Sequence, residues 1–330
     1  MRAGDIEIVP ASVADAAMIA EVMSNCGSSW RPTEGEIAKN LGTLPSHVRS
    51  QYFLGFVDGV AVAHGAVANG RYVDEPAVWI IDVFVIGSHQ GRGYGVVVAR
   101  MLMNWLEPIL DEQRREGASP TLVSATADAS AGARFAAKFG FGVRETRYVS
   151  SLNPATVDLA QFASLEQRVA HLGVAIVTLA DFDGRDRKDF ERALFELDTE
   201  AMLDEPGHDA ATSVGFDAWR GEFVDGHDPN GTIVAVHDAT PIGLTIHWDE
   251  EHELLIASTC VSRQWRGKGI ATALKVAGVR YASQRGKPLR AFNSAENANV
   301  LAINARLGFV RRQTVTKWHA DPFEVQSRLR

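Results

Sequence analysis

The chain has 330 residues, with 33 lysines and arginines against 41 aspartates and glutamates, and a formal net charge of -8. With 46% hydrophobic and 22% charged residues, its composition is that of an ordinary globular protein of about two domains rather than a disordered chain. The acidic balance argues against nucleic acid as the main partner. No apolar run approaches the ~20 residues that cross a bilayer, and two cysteines, Cys26 and Cys260, exclude a disulfide framework and point to the cytoplasm.

In chain order, Ile6–Val9 reads as a short strand, followed by a helical region and then by strands over Tyr52–Phe56, Val60–Val67 and Ala77–Ile86. A glycine-rich turn, Gln90-Gly-Arg-Gly-Tyr-Gly95, leads into an amphipathic helix whose Val98, Met101, Leu102, Trp105, Leu106 and Ile109 share a face. Gly117 is placed to stop that helix. A strand at Thr121–Ala125, a helix ending in Gly140-Phe141 and a strand at Val143–Val149 complete the first half. Residues 154–172 read as a linker, helical over Leu159–Leu172.

The same order then repeats. Val174–Thr178, Thr232–His237, Ile242–Trp248 and Glu253–Val261 read as strands, and Arg266-Gly-Lys-Gly-Ile-Ala271 reads as the second turn. A helix stopped by Gly286, a strand at Leu289–Asn293, a helix ending in Gly308-Phe309 and a strand at Val310–Trp318 follow. The expected division is therefore 1–153, a linker at 154–172, and 173–330.

A strand that runs through glycines into a helix forms a concave set of backbone N–H groups at a positive helix end. With Arg92, Arg266 and Lys268 nearby, such a turn favours phosphate or pyrophosphate. A P-loop requires Gly-x-x-x-x-Gly-Lys-Ser/Thr, which neither turn contains. A dinucleotide fingerprint requires Gly-x-Gly-x-x-Gly, and the antiparallel strands leading in do not suit a doubly wound sheet.

Gln90-x-x-Gly93-x-Gly95 and Arg266-x-x-Gly269-x-Ala271, each with a later Gly-Phe, resemble the Gln/Arg-x-x-Gly-x-Gly/Ala signature of the GNAT superfamily of N-acetyltransferases. The resemblance covers nearly the whole chain and implies an α+β fold of two tandem GNAT-type domains. Each would have a mixed, mainly antiparallel sheet flanked by helices. It also implies acetyl-CoA as co-substrate and a small-molecule amine as partner. Charge and apolar run length lead to the expectation of neither nucleic acid nor membrane as partner, and a monomer or homodimer is expected. By similarity, pyrophosphate would be held by Gln90, Gly91, Arg92, Gly93, Tyr94 and Gly95, and by Arg266, Gly267, Lys268, Gly269, Ile270 and Ala271. A backbone N–H at Val85 or Val261 would take the thioester oxygen, and Asn297 and Asn304 would face the cofactor.

Many members of the family carry a glutamate base six residues before the closing valine and a tyrosine acid four residues before the Gly of Gly-Phe. Those positions hold Trp79 and Leu255, and Ala136 and Asn304. Replacement bases are Glu253, Asp249, Glu250 or His252 in the second half and Asp82 in the first. Glu253 shares a face with Val261 if strand alternation is unbroken. Glu253 and Asn304 are the expected catalytic pair. The acidic segment Leu197–Asp209 suits a cationic acceptor, Cys260 reads as a buried thiol, and His247 and His252 lack metal-ligand company. The second half keeps Asn293, Asn297 and Asn304 where the first has Ala125, Ala129 and Ala136. It is the expected working half, and the first an accessory site. A non-catalytic CoA-binding sensor or assembly module is the alternative.

Overall fold

The structure is a computed structural model that describes residues 6–27, 31–44, 48–69, 77–127, 131–182, 184–204 and 215–330. The chain forms two compact units, one of residues 1–146 with 313–330 and one of residues 147–312. They do not coincide with the contiguous halves expected from the repeat.

The N-terminal unit contains β1 (Glu7–Ala11), β2 (Ser50–Val57), β3 (Val60–Asn69), β4 (Val78–Val85) and β5 (Thr121–Ala127). Its last position is filled by β12 (Val310–Ala320), which pairs with β5 from Val315↔Ala127 to Ala320↔Leu122. Neighbouring strands are antiparallel except β4 and β5. The other unit contains β7 (Val174–Thr178), β8 (Thr232–His237), β9 (Thr240–Asp249), β10 (Leu254–Val261) and β11 (Leu289–Ser294). It is completed by β6 (Gly142–Leu152), whose Arg147–Leu152 pair with β11. Here only β10 and β11 run parallel.

Each repeat's final strand therefore closes the sheet of the other repeat's unit, which a repeat-by-repeat division could not anticipate. Burial accounts for the C-terminal segment. Trp318, Ala320, Val325 and Leu329 all lie in the N-terminal unit's apolar core, and each large side chain buried there contributes about 1.5–3 kcal/mol. Trp318 Nε1 also donates to Thr126 Oγ1 at 2.7 Å.

Two apolar layers flank the N-terminal sheet. α1 (Ala16–Ser24) and α2 (Glu34–Gly42) pack with Leu54 on one face. The helix after the turn, α3 (Tyr94–Arg115), packs with α4 (Ala131–Lys138) and α10 (Pro322–Leu329) on the other. Thr33 and Glu36 close α2 with a reciprocal capping box. In the second unit α5 (Ala163–His171), α8 (Ile270–Arg285) and α9 (Ala298–Leu307) share one core cluster. α6 (Gly184–Met202) packs on β9 and β10 with α7 (Phe216–Phe223) beside it.

The helix expected over Leu159–Leu172 is present, but it packs in a core and is not a free linker. Residues 159–162 form a 3-10 turn that runs into α5. Phe162, Leu165 and Val169 recur at helical spacing and are at most 4% exposed in the second unit's core. Gly117 and Gly286 take the left-handed conformation that ends a helix, at φ 86° and 66°. No helix among the described residues is long and apolar enough to cross a membrane.

Candidate functional site

The two turns share a backbone course. β4 ends at Val85, a 3-10 turn spans Gly87–His89, Gly91 and Gly93 stand at φ 76° and 88°, and α3 begins at Tyr94. β10 ends at Val261, a 3-10 turn spans Arg263–Trp265, Gly267 and Gly269 stand at φ 77° and 87°, and α8 begins at Ile270. These positive φ values strongly favour glycine. A Cβ at Gly91 or Gly267 would meet nothing within 4 Å, so space above the turn is open. Neither helix has a side-chain cap, which leaves its first N–H groups available to an anion. Tyr94 and Ile270, each 1% exposed, anchor the helix starts.

The leading residue of each motif acts as a rivet. Gln90 Nε2 donates to Val85 O at 3.0 Å and to Cys26 O at 2.8 Å. Arg266 Nε donates to Val261 O at 2.9 Å, and its Nη2 lies 2.7 Å from Asp204 Oδ2. Both side chains thus tie the strand end to the segment after α1 or α6. Arg263 grips the same Asp204 with two bonds of 2.9 and 2.7 Å. Hydrogen bonds from Arg263 and Arg266 hold the Asp204 carboxyl well below the usual carboxylate range. Arg266 was expected to lend charge to a phosphate and is turned to a carboxylate. Arg92 Nη2 donates to Ser88 O at 3.0 Å, and Lys268 Nζ lies 4.2 Å above the Trp265 ring.

Beside each turn the two parallel strands part. β4 and β5 pair only from Val78↔Thr121 to Ile80↔Val123. β10 and β11 pair only from Leu254↔Leu289 to Ile256↔Ala291. Residues 81–85 and 257–261 thereafter offer a free backbone edge to the fork, suited to an extended amide-bearing chain. Val83, Val85 and Phe135 lie next to Gly95 in the first fork, all 3.7–3.8 Å from where its Cβ would stand. In the second, Asn304 Nδ2 donates to Asn293 Oδ1 at 2.8 Å, while the buried Asn304 Oδ1 has no partner. An amide oxygen left so costs about 1–3 kcal/mol unless a ligand donates to it. Asn297 instead caps α9 by accepting from Val300 N at 3.2 Å. Ala136 is 5% exposed in the first core, and Ala129 lies outside the described residues.

The expected base of the second unit is not supported. Glu253 Oε1 lies 2.6 Å from Arg290 Nε. A β-bulge between Ile256 and Ser258 breaks the alternation, so Glu253 and Val261 fall on opposite faces. Glu250 also pairs with Arg290 at 2.6 Å, and Asp249 pairs with Lys287 at 2.5 Å and with Arg285. His252 is exposed. Burial pushes the Cys260 thiol well up, consistent with an inert buried thiol.

Two carboxyl groups do stand at the forks, one in each unit. Asp198 of α6 is 2% exposed; it accepts from Ser258 Oγ at 2.7 Å and from Trp219 Nε1 at 2.8 Å. It fell within the acidic stretch Leu197–Asp209, of which 205–209 lie outside the described residues. Its four-residue spacing from buried Leu194 was the signal that it faces inward. In the other unit Asp82 Oδ1 accepts from Ser124 Oγ at 3.4 Å. Burial raises the Asp82 carboxyl to about 6, against the opposing effect of that hydrogen bond. Among the described residues no group of three or more His, Cys, Asp or Glu could hold a metal ion.

Residues 18–141 and 191–309 each match the Acetyltransferase (GNAT) family. The chain is 26% identical over 290 residues to a mycothiol acetyltransferase from Amycolatopsis mediterranei (strain U-32), covering 83% of this chain and 85% of that protein. Among solved structures, a GCN5-related N-acetyltransferase from Sphaerobacter thermophilus superposes with a TM-score of 0.72 at 20% identity, over 98% of this chain and 97% of that one. A tandem GNAT protein from the clavulanic acid biosynthesis pathway gives 0.69 at 18% identity, over 96% and 98%. The structural likenesses show the fold.

Proposed function

The chain belongs to the GNAT acetyltransferase family, and from that premise we propose that it transfers an acetyl group from acetyl-CoA to a primary amine of a small molecule. The amine attacks directly, with both substrates bound at once. The observation that carries this reading is the fork that runs into a glycine turn, present in each unit. Acetyl-CoA, when bound, supplies an acyl group activated by its thioester.

The residues fit that group. The first N–H groups of α3 and α8 have no side-chain cap and the space beside Gly91 and Gly267 is open, so the turns Gly91–Gly95 and Gly267–Ala271 suit a pyrophosphate. The free edges at 81–85 and 257–261 can pair with an amide-bearing arm. A backbone N–H near Val85 or Val261 would stabilise negative charge on the thioester oxygen, an effect worth about 3 kcal/mol where such donors are preorganised. Asn304 would meet the arm through its unpartnered Oδ1. It has no proton to give at neutral pH, so water protonates the departing thiolate.

The amine enters as an ammonium, because an alkylamine has a pKa near ~10.4. A carboxylate on the acceptor side both attracts it and can take its proton. The test is thiol release from acetyl-CoA with a panel of amino sugars, polyamines and arylalkylamines, with products identified by mass. N-acetylation of a primary amine is expected. Saturable acetyl-CoA binding without transfer to any amine would contradict the reading.

A further inference from the structure

The two units differ most on the face of the sheet away from α3 and α8. In the N-terminal unit Tyr52, Ala66 and Asp82 stand in one cross-strand row. The outer two strands are roughly 10 Å apart, and among the described residues it is the methyl group of half-buried Ala66 that rises between them. Ile80 on the same face is 42% exposed and Ala68 is half-exposed, whereas Val67 and Asn69 on the opposite face are buried. α1 and α2 therefore leave this part of the sheet open. Asp82 stands two residues beyond Ile80, the last residue of β4 paired with β5. Ser124 bonds to it, and no cation among the described residues pairs with it.

The matching row of the other unit is Thr232, Ile246 and Ser258. Thr232 and Ile246 are 2% and 1% exposed, and Asp198 is held beneath the same cover by Ser258 and Trp219. This face is filled where the other is open.

We propose that the N-terminal unit is an acetylation centre in its own right, in which Asp82 takes the proton from a primary ammonium seated over Ala66 between Tyr52 and Asp82. The inference rests on the reading of the chain as an amine acetyltransferase and reverses the roles expected of the two halves. The ammonium gives one proton to the Asp82 carboxylate, which passes it to solvent. The freed nitrogen forms its bond to the acetyl carbon as the carbon–sulfur bond breaks. The nitrogen's second proton reaches the leaving thiolate through water, so the products are the N-acetyl compound, CoA thiol and one released proton.

The surroundings suit a cation next to an apolar or aromatic body. Tyr52, His64 and Phe84 stack in sequence on this face, with interplanar angles of 10° and 9°. Burial lowers His64 to about 4, although its bond to Phe53 O opposes the shift, so its ring is neutral near pH 7 and does not repel an ammonium. The groups on the face of Asp82 are thus Tyr52 of β2, His64 and Ala66 of β3, Ile80 and Phe84 of β4, and Val123 and Ala125 of β5 with His319 and Lys317 of β12 opposite them. Ser124, on the other face by register, bonds to Asp82 across the fork. A carboxyl near 6 is ionised at neutral pH and remains basic enough to serve as proton acceptor.

The test is independent of the acceptor's identity. In an Asp82→Cys variant the introduced thiol stands where the nucleophile would lie. After incubation of the full chain with acetyl-CoA alone, peptide mapping is expected to find an acetyl group on position 82. A Gly93→Glu change added to that variant is expected to abolish it, and a Ser258→Cys variant is expected to stay unmodified. Thermal melting establishes that each variant is folded, and calorimetric binding of acetyl-CoA establishes that the Asp82→Cys and Ser258→Cys variants are loaded. Binding without acetylation at position 82, acetylation that persists with Gly93→Glu, or acetylation at position 258 instead would overturn this inference alone. Loss of acetyl-CoA binding by the unaltered protein would overturn the wider reading.

Discussion

The two units share a turn and a fork and differ in a row of three side chains. Tyr52, Ala66 and Asp82 leave an open, acidic shelf, whereas Thr232, Ile246 and Ser258 lie under a packed cover. Turn and fork are backbone features, fixed by glycines at positive φ and by where parallel pairing stops, so they survive changes of side chain. The face away from α3 and α8 depends on side chains and on strand phase. In β10 the bulge before Ser258 rotates earlier positions to the other face. β4 pairs with β3 without such a shift. Trp79 therefore points into the core at 0% exposure, with Nε1 donating to Gln113 Oε1 at 3.0 Å, and Asp82 falls on the face away from α3, where the proposed amine seat lies.

The largest effect that sharpens this comparison is expected from Asp82→Asn. Amine turnover should fall by roughly 10²–10⁴, as for loss of a general base, with acetyl-CoA binding unchanged by calorimetry. In the unaltered protein the rate should drop as pH falls through about 6 and Asp82 becomes protonated. Next, Ala66→Ile gives the open shelf the side chain of the closed one. It should raise the KM for amine about tenfold, or about 1.4 kcal/mol, with kcat little changed.

The remaining effects concern stability. Asp198→Ala leaves Trp219 Nε1 and Ser258 Oγ without their acceptor. It should cost about 1–3 kcal/mol in urea unfolding while thiol release persists. The smallest effect is a gain. A carboxyl raised in the folded state makes stability fall as pH rises from about 4 to about 6. Asp82→Asn should therefore stabilise the protein at pH 8 by on the order of 1 kcal/mol, because partial exposure screens the charge, and the gain should vanish near pH 4.

Much of the fold was legible because glycines and apolar periodicity are local signals. Gln90–Gly95 and Arg266–Ala271 marked the strand–turn–helix units, and Gly117 and Gly286 marked helix ends. The exchange of β6 and β12 was not legible, since a strand's partner is set by distant burial such as that of Trp318 and Leu329. The bulge was equally hidden, because no residue type at Ala257 announces it, and the face of Glu253 depended on it. Ion pairing of Glu253 with Arg290 spans 37 positions of sequence, and Asp198 reads as solvated acid until its helix phase is known. Asp82 was visible as one carboxylate among several; what distinguished it was the small Ala66 beside it.

The most direct measurement is amine-dependent thiol release by two single variants, Gly93→Glu and Gly269→Glu. Each places a charged side chain at a positive φ in one turn. The account predicts that turnover is lost with Gly93→Glu and retained with Gly269→Glu. Turnover that survives Gly93→Glu and disappears with Gly269→Glu would contradict it.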